Sequence, residues 1–360
     1  MNRHVVNIGG DNPSDRKIES LQALRAAAVL LVVLFHMNVY TVTGILGRQP
    51  IWNGFDMGYA GVEIFFVLSG FIMFHVHSGD FGRRDRFGQY ISKRMTRIYP
   101  FFWIALSAIV FLRLLDRGTA PDAWSLLVSA TLLPFPESQI LGVQWTLSFE
   151  MLFYLVFSIA ILDGRLGATV GGIWFAACAI AAVTGYTGPG ATFLLSAYNL
   201  LFLFGIAAAH LWNRVRGGQG ALLGFGVVLF FTVGFAEAIG GHAFYKPLRT
   251  VLFGIGAAAV VMALVSWEAR GRLSVPRWLA FLGDASYAIY LVHITAMGVA
   301  ARLLQMVAFD SLPPYLLAIV LSASAVLAGA VAHVLVEKPV IALIRGQIRR
   351  RRLTTEPSAH

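Results

Sequence analysis

Two ionisable side chains, Arg25 and His36, stand in the otherwise apolar run LQALRAAAVLLVVLFHMNVYTVTG at residues 21–44. An imidazole takes a proton from an attacking hydroxyl near neutral pH, and a guanidinium holds an anion. Eleven residues of α-helix separate the two by about 16 Å in depth but only about 20° in azimuth, so both line one stripe. Ionisable groups at membrane depth are costly and mark function by default. The plainer alternative is an Arg25 that snorkels to the surface and a His36 held by structural hydrogen bonds.

Glu63 and Glu150 lie in further apolar runs, at 57–77 and 143–162, the latter also carrying Trp145. Beside a histidine, a carboxylate fixes the imidazole tautomer and stabilises its protonated form, the pairing that general-base catalysis uses. A polar knot tying three helices together is the structural alternative. Arg94 and Arg97, at i and i+3, share a helical face if their helix begins that early, and together with Arg25 they suit phosphate, which arginine binds bidentately. Juxtamembrane cations also meet anionic headgroups, the reading that fits Arg83, Arg84, Arg86 and the tail arginines.

The elements that position these groups follow from composition. The 360 residues are 58% hydrophobic and 13% charged, with a mean hydropathy of +0.71, which excludes an ordinary soluble domain. About 20 apolar residues cross a bilayer, and ten stretches qualify, near 21–44, 57–77, 98–115, 143–162, 166–183, 191–212, 221–240, 248–267, 278–301 and 315–336. The expected fold is an all-α integral membrane bundle of about ten helices. Residues 1–20 read as a polar cytoplasmic leader rather than a cleaved signal, 21–338 as one transmembrane domain and 339–360 as a basic cytoplasmic tail. The apolar middle of the 116–142 connector is too short to span and is expected to be a re-entrant or surface helix. The single cysteine, Cys178, excludes an internal disulfide or a cysteine-pair metal site.

The net charge of +10 would suit nucleic acid, but in a membrane protein the location of the cations matters more than their sum. With the N-terminus inside, the outer connectors hold only Arg48, Arg113, Arg117, Lys246, Arg249 and Arg302, so both termini are expected in the cytoplasm. That orientation sets His36, Glu63 and Glu150 level, roughly 10–12 Å below the outer helix ends, with the arginine cluster at the opposite boundary. The arrangement suits a phosphate-bearing donor entering from the cytoplasm, such as a coenzyme A thioester with its long thin arm, and a hydroxyl acceptor activated near the outer face. The remaining histidines form no metal-ligand spacing, and no metal is expected.

At these residues the chain resembles the membrane-bound acyltransferase family 3, bacterial inner-membrane proteins that O-acetylate surface and secreted polysaccharides. The matching segments, in order, are LQALRAAAVLLVVLFH with Arg25 and His36, GVEIFFVLSGFIM around Glu63 and RMTRIYP with Arg94 and Arg97. They continue with QWTLSFEMLFY around Trp145 and Glu150, FLGDASYAIYLVH with Asp284, Tyr287 and His293, and VEKP at Glu337 to Pro339. The lead-in IESLQALRA and the WTLSFE form are most similar to the exopolysaccharide-production branch.

The resemblance implies transfer of an acyl group, usually acetyl, from cytoplasmic acyl-CoA to a sugar hydroxyl of a polysaccharide or lipid-linked oligosaccharide, with membrane lipids and polysaccharide-synthesis proteins as neighbours and no nucleic acid. His36 is expected to act as general base oriented by Glu150, with an acetyl-His36 intermediate as the lesser alternative. Arg94 and Arg97 would hold the CoA phosphates and Arg25 the channel mouth, while Glu63 and Trp145 would serve the acceptor. His293, a single histidine in a late helix, reads as structural. Some relatives carry an extracytoplasmic hydrolase-like domain; here the acceptor is expected to reach His36 directly. A proton-coupled transporter or a scaffold subunit of a polysaccharide synthase are the readings from other classes, the first weakened by the lack of an evident internal repeat.

Overall fold

The computed structural model describes residues 18–240, 244–306 and 312–355, apart from the side chains of 116, 117, 136, 349 and 351–355. Most of the polar leader, the end of the basic tail, and His4, His242 and His360 therefore lie outside the described residues. Every regular element among the described residues is helical, as a bilayer requires of chain that must satisfy its own backbone.

In chain order these are α1 (Glu19–Phe35), prolonged by a π-helix (His36–Ile45), and a 3₁₀ segment (Asn53–Ala60) leading into α2 (Gly61–His77). The long α3 (Arg84–Arg117) and short α4 (Ala123–Thr131) follow, then α5 (Gln144–Leu162), α6 (Gly164–Thr184), α7 (Tyr198–Leu211) and α8 (Gln219–Gly240). The chain continues as α9 (Lys246–Glu268), α10 (Arg277–Met306), α11 (Pro314–Ala332), a second π-helix (His333–Glu337) and α12 (Lys338–Thr355).

Among the described residues nine helical segments are long and apolar enough to cross a membrane, not the ten expected. The stretch at 191–212 falls short only in helix length, since α7 runs alongside α2 from Tyr198 at Phe66 to His210 at Phe74. Its helix, α7, has only 14 residues, because a turn through Gly188, Pro189 and Gly190, the last at φ +79°, folds the preceding chain back along α6. The non-helical carbonyls this exposes are satisfied locally: Leu194 O accepts from Trp174 Nε1 at 2.7 Å, and Asn199 Nδ2 donates to Phe193 O at 2.8 Å and to Leu194 O at 3.1 Å. Irregular backbone at membrane depth persists only where such partners exist.

One end of the bundle carries the start of α1, whose Glu19 and Ser20 amides both donate to the Glu268 carboxylate at the end of α9 at 2.7 Å. Ser266 Oγ near that end donates to Val215 O, just past α7, and the turn after α2 meets the end of α5 through Gly82 N and Ala160 O. This end is called the N-terminal face below. At the turn between α5 and α6 the Asp163 carboxylate caps α6, accepting from the Leu166 and Arg165 amides, which hold it below its ordinary range.

Helices cross closely where a glycine leaves room. A Cβ on Gly70 would lie 2.1 Å from Phe202 O and one on Gly205 2.0 Å from Val67 O, so α2 and α7 run backbone against backbone. A Cβ on Gly283 would lie 2.1 Å from Gln22 O, which seats α10 against α1 in parallel. Small residues at helix contacts are the usual means of close packing in a bilayer. Outward-facing Phe111, Leu115, Ile180, Val183, Val228 and Leu327 stay exposed, as lipid contact allows. The short α4 returns beside α3, where Trp103 Nε1 donates to Ala130 O at 2.9 Å and Tyr99 OH to Thr131 O at 3.2 Å, fitting the expected re-entrant or surface helix.

Candidate functional site

Helix α3 does begin early, at Arg84, so Arg94 and Arg97 fall on one helical face and both line a cavity of about 720 Å³. The cavity is enclosed by α1, α2, α3, α5, α10 and α12. Its mouth, at the N-terminal face, presents Arg25, Lys93, Arg94, Arg97 and Arg345, against which Glu150 is the lone lining carboxylate among the described residues. Such an excess of cations in a partly enclosed, low-dielectric space selects anions. From there the cavity follows α2 from Met73 to Val62, about 16 Å of helix, and ends among Phe65, Phe66, Thr146 and Tyr290.

The arginines are held differently. Arg25 donates through Nε and Nη2 to Ser286 Oγ at 3.1 and 3.0 Å. Arg97 donates to Glu337 Oε1 at 2.8 Å and lies 5.2 Å from the Tyr287 ring centre. The other oxygen of the buried Glu337 pairs with His333 Nδ1 at 2.6 Å, so arginine, glutamate and histidine form a chain into the second π-helix. Arg94 sits 5.7 Å from the Tyr154 ring centre, and its buried Nε has no hydrogen-bond partner. A buried donor left open costs free energy unless something binds it.

Glu150 does not meet His36. Its Oε1 accepts from Ser69 Oγ at 2.9 Å and from Tyr154 OH at 2.5 Å, inside the cavity. The expected His36–Glu150 pair is thus replaced by two separate arrangements, because α5 turns Glu150 toward α2 while α1 turns His36 toward α10. His36 does share the α10-facing stripe with Arg25, as their spacing predicts. It lies at the junction of α1 with its π-helix, a distortion that recurs at functional sites. Its Nδ1 is 3.0 Å from Val32 O and 3.2 Å from His293 Nε2, with the two rings edge to face at 4.9 Å.

His36 does not line the cavity. A chain of ring contacts leads to it: Tyr290, at the closed end, is 5.8 Å from His293, which touches His36. Tyr290 OH is fixed by Thr146 Oγ1 at 3.0 Å and Val143 O at 3.3 Å.

The two expected acceptor residues lie outside the cavity as well. Glu63 is buried, and neither of its oxygens has a hydrogen-bond partner. Trp145, half-buried, packs against Phe66, Phe149 and Tyr198 at ring distances of 6.4, 5.9 and 5.3 Å, outside the cavity lining. Sequence reasoning missed Ser69, Tyr154 and Arg345. Tyr154 was accessible, since i and i+4 side chains meet on a helix; Arg345 carried no signal beyond being one more tail cation.

Fold and site together define a polytopic helical membrane protein with an anion-selecting cavity entered from one face. A family model described as an acyltransferase domain, that of acyltransferase family 3, matches residues 18–334. The chain belongs to this family and is an acyl-transferring membrane enzyme, which displaces the transporter and scaffold readings. It is similar to the exopolysaccharide production protein ExoZ of Rhizobium meliloti (strain 1021), 31% identical over 82% of this chain and 93% of that one, in keeping with the exopolysaccharide branch. Acyltransferase MdmB of Streptomyces mycarofaciens is 28% identical, with 95% of each chain covered. The putative peptidoglycan O-acetyltransferase YrhL of Bacillus subtilis (strain 168) is 25% identical over 77% of this chain and 48% of its own length. No solved structure matches the chain significantly.

Proposed function

We propose that the protein transfers an acyl group, most simply acetyl, from cytoplasmic acyl-CoA to a sugar hydroxyl of an exopolysaccharide or its lipid-linked precursor, in the bacterial inner membrane with both termini in the cytoplasm. The observation that carries this reading is the cavity whose mouth gathers Arg25, Lys93, Arg94, Arg97 and Arg345 and whose body runs along α2 toward Tyr290. CoA is anionic at its nucleotide end and neutral along its arm. The mouth has the charge for the phosphates, with the Arg94 guanidinium among its lining. The body, lined by Ser69, Ile72 and Phe65, has the mixed polarity of the arm.

The acyl end of the arm then passes Tyr290 to meet the acceptor at His36, which stands beyond Tyr290 and His293 toward the opposite face. There His36 Nε2 takes the hydroxyl proton as the sugar oxygen attacks the thioester carbon. A C–O bond forms, the C–S bond breaks, and the proton passes to the departing thiolate to give free CoA thiol. Glu150, committed to Ser69 and Tyr154, belongs to the donor cavity in this scheme. The test is proton NMR of the host's secreted polysaccharide from cells carrying equal amounts of the intact chain or His36→Ala. A specific O-acyl signal that disappears in the variant supports the reading, and an unchanged signal removes His36 from the chemistry.

A further inference from the structure

The reading of His36 as base leaves open what holds it in a basic tautomer once Glu150 is elsewhere. His293 is completely buried in α10. Its Nδ1 faces two carbonyl oxygens, Tyr290 O at 2.8 Å and Ile289 O at 3.2 Å. Carbonyls only accept, so Nδ1 carries the proton, and a neutral imidazole with its proton there has a bare lone pair on Nε2. That lone pair points at His36 Nδ1, 3.2 Å away. His36 Nδ1 also faces Val32 O at 3.0 Å. With two acceptors on one side, His36 must carry its own proton on Nδ1, leaving the lone pair on Nε2, the far side of the ring.

We infer that His293 is the positioning residue for His36: its Nε2 accepts from His36 Nδ1–H, fixes the base tautomer and ring orientation, and accepts more strongly when His36 becomes an imidazolium. The carbonyls of Ile289 and Tyr290 set the direction of the relay, so the backbone of α10 acts with Val32 O to make Nε2 the basic nitrogen of His36. A neutral imidazole does this without the desolvation that a buried carboxylate would incur. Val32 O belongs to the same helix as His36 and moves with it; His293 is the acceptor that ties the ring to a second helix. The inference rests on His36 being the base.

The test uses the full-length protein in lipid nanodiscs, with acyl-CoA kinetics and a thermal melt for each variant. His293→Leu removes the acceptor at similar volume, and His293→Gln keeps one at the Nε2 position. The expected result is a fall in kcat of about 10–100-fold for His293→Leu, the range found when a metal-bound histidine loses its outer hydrogen-bond partner. KM for acyl-CoA stays unchanged and most of kcat returns in His293→Gln. In ¹⁵N spectra of histidine-labelled protein, assigned by difference from His36→Gln, His36 is protonated at Nδ1 in the wild type, and its Nδ1 signal shifts in His293→Leu, where Val32 O alone remains to accept. Full kcat in His293→Leu, or Leu and Gln variants that melt normally and are equally impaired, overturns the positioning role. Activity retained in His36→Ala overturns the base assignment and this inference with it, whereas an inactive His36→Ala beside a fully active His293→Leu overturns the inference alone.

Discussion

Arg97 is not free to serve the donor alone, because one edge of its guanidinium is held by Glu337, whose side chain is 1% exposed. Truncating it leaves Glu337 facing only His333 from within the protein. Arg97→Ala should therefore lower the melting temperature, through a loss of about 1–3 kcal/mol for an abandoned buried acceptor, and also raise KM for acyl-CoA. Arg345 is exposed and lines the mouth, so Arg345→Ala should raise KM while leaving the melt in place. Arg94 gives the sharpest contrast. Its place in the cavity lining predicts a rise in KM of about 10–100-fold for Arg94→Ala, equivalent to one charge-assisted hydrogen bond of roughly 1.5–3 kcal/mol, with kcat nearly unchanged. Steady-state kinetics at varied acyl-CoA decide it, and an unaltered KM would place the phosphates elsewhere. Residue types announced these cations in the sequence; their division into held and open ones depends on Glu337, far along the chain.

At the scale of elements, the crossing of α1 and α10 sets two side-chain contacts at once, Arg25 with Ser286 and His36 with His293. Gly283 is the point of closest approach. Gly283→Val forces the helices apart, and the expected cost is about 1–3 kcal/mol of stability, as for other overpacked sites, accompanied by a fall in kcat. Gly88, on the exposed face of α3, has nothing within 4 Å of an added Cβ. Gly88→Ala should leave kcat intact and hold or raise the melt, by up to about 1 kcal/mol from helix propensity. Melts and rates on the pair separate crossing geometry from a general intolerance of substitution. Helix α7 shows where apolar length misleads: residues 191–197 are hydrophobic enough to extend a span, yet Gly188 to Gly190 and the side chains of Trp174 and Asn199 stabilise a non-helical return. Hydropathy counts apolar atoms and is blind to such local hydrogen-bond alternatives.

For the whole molecule, the proposed orientation makes a prediction independent of catalysis. In a Cys178→Ser background, Gly79→Cys and Gly217→Cys, at the N-terminal face, should react with a membrane-impermeant maleimide only after the cells are opened. Gln49→Cys, in the loop after the first π-helix, should react in intact cells; the reverse pattern would invert the donor's entry side. The expected common level of His36, Glu63 and Glu150 is not kept, since Glu150 meets Ser69, six residues along α2 from Glu63; read alone, the sequence determined the membrane-spanning character, the basic boundary and the family. These are one-dimensional properties, set by hydropathy, a fixed rise per residue and local motifs. It also placed Arg25 and His36 on one stripe, since phase within a single helix is fixed by 3.6 residues per turn. Phase between helices is not. Which neighbour a stripe faces depends on glycine-permitted crossings such as Gln22 on Gly283 and on loops that rotate each helix. Only the tertiary structure therefore decided that His36 meets His293, that Glu150 stays with Ser69 and Tyr154 in the cavity, and that the tail returns Arg345 to its mouth.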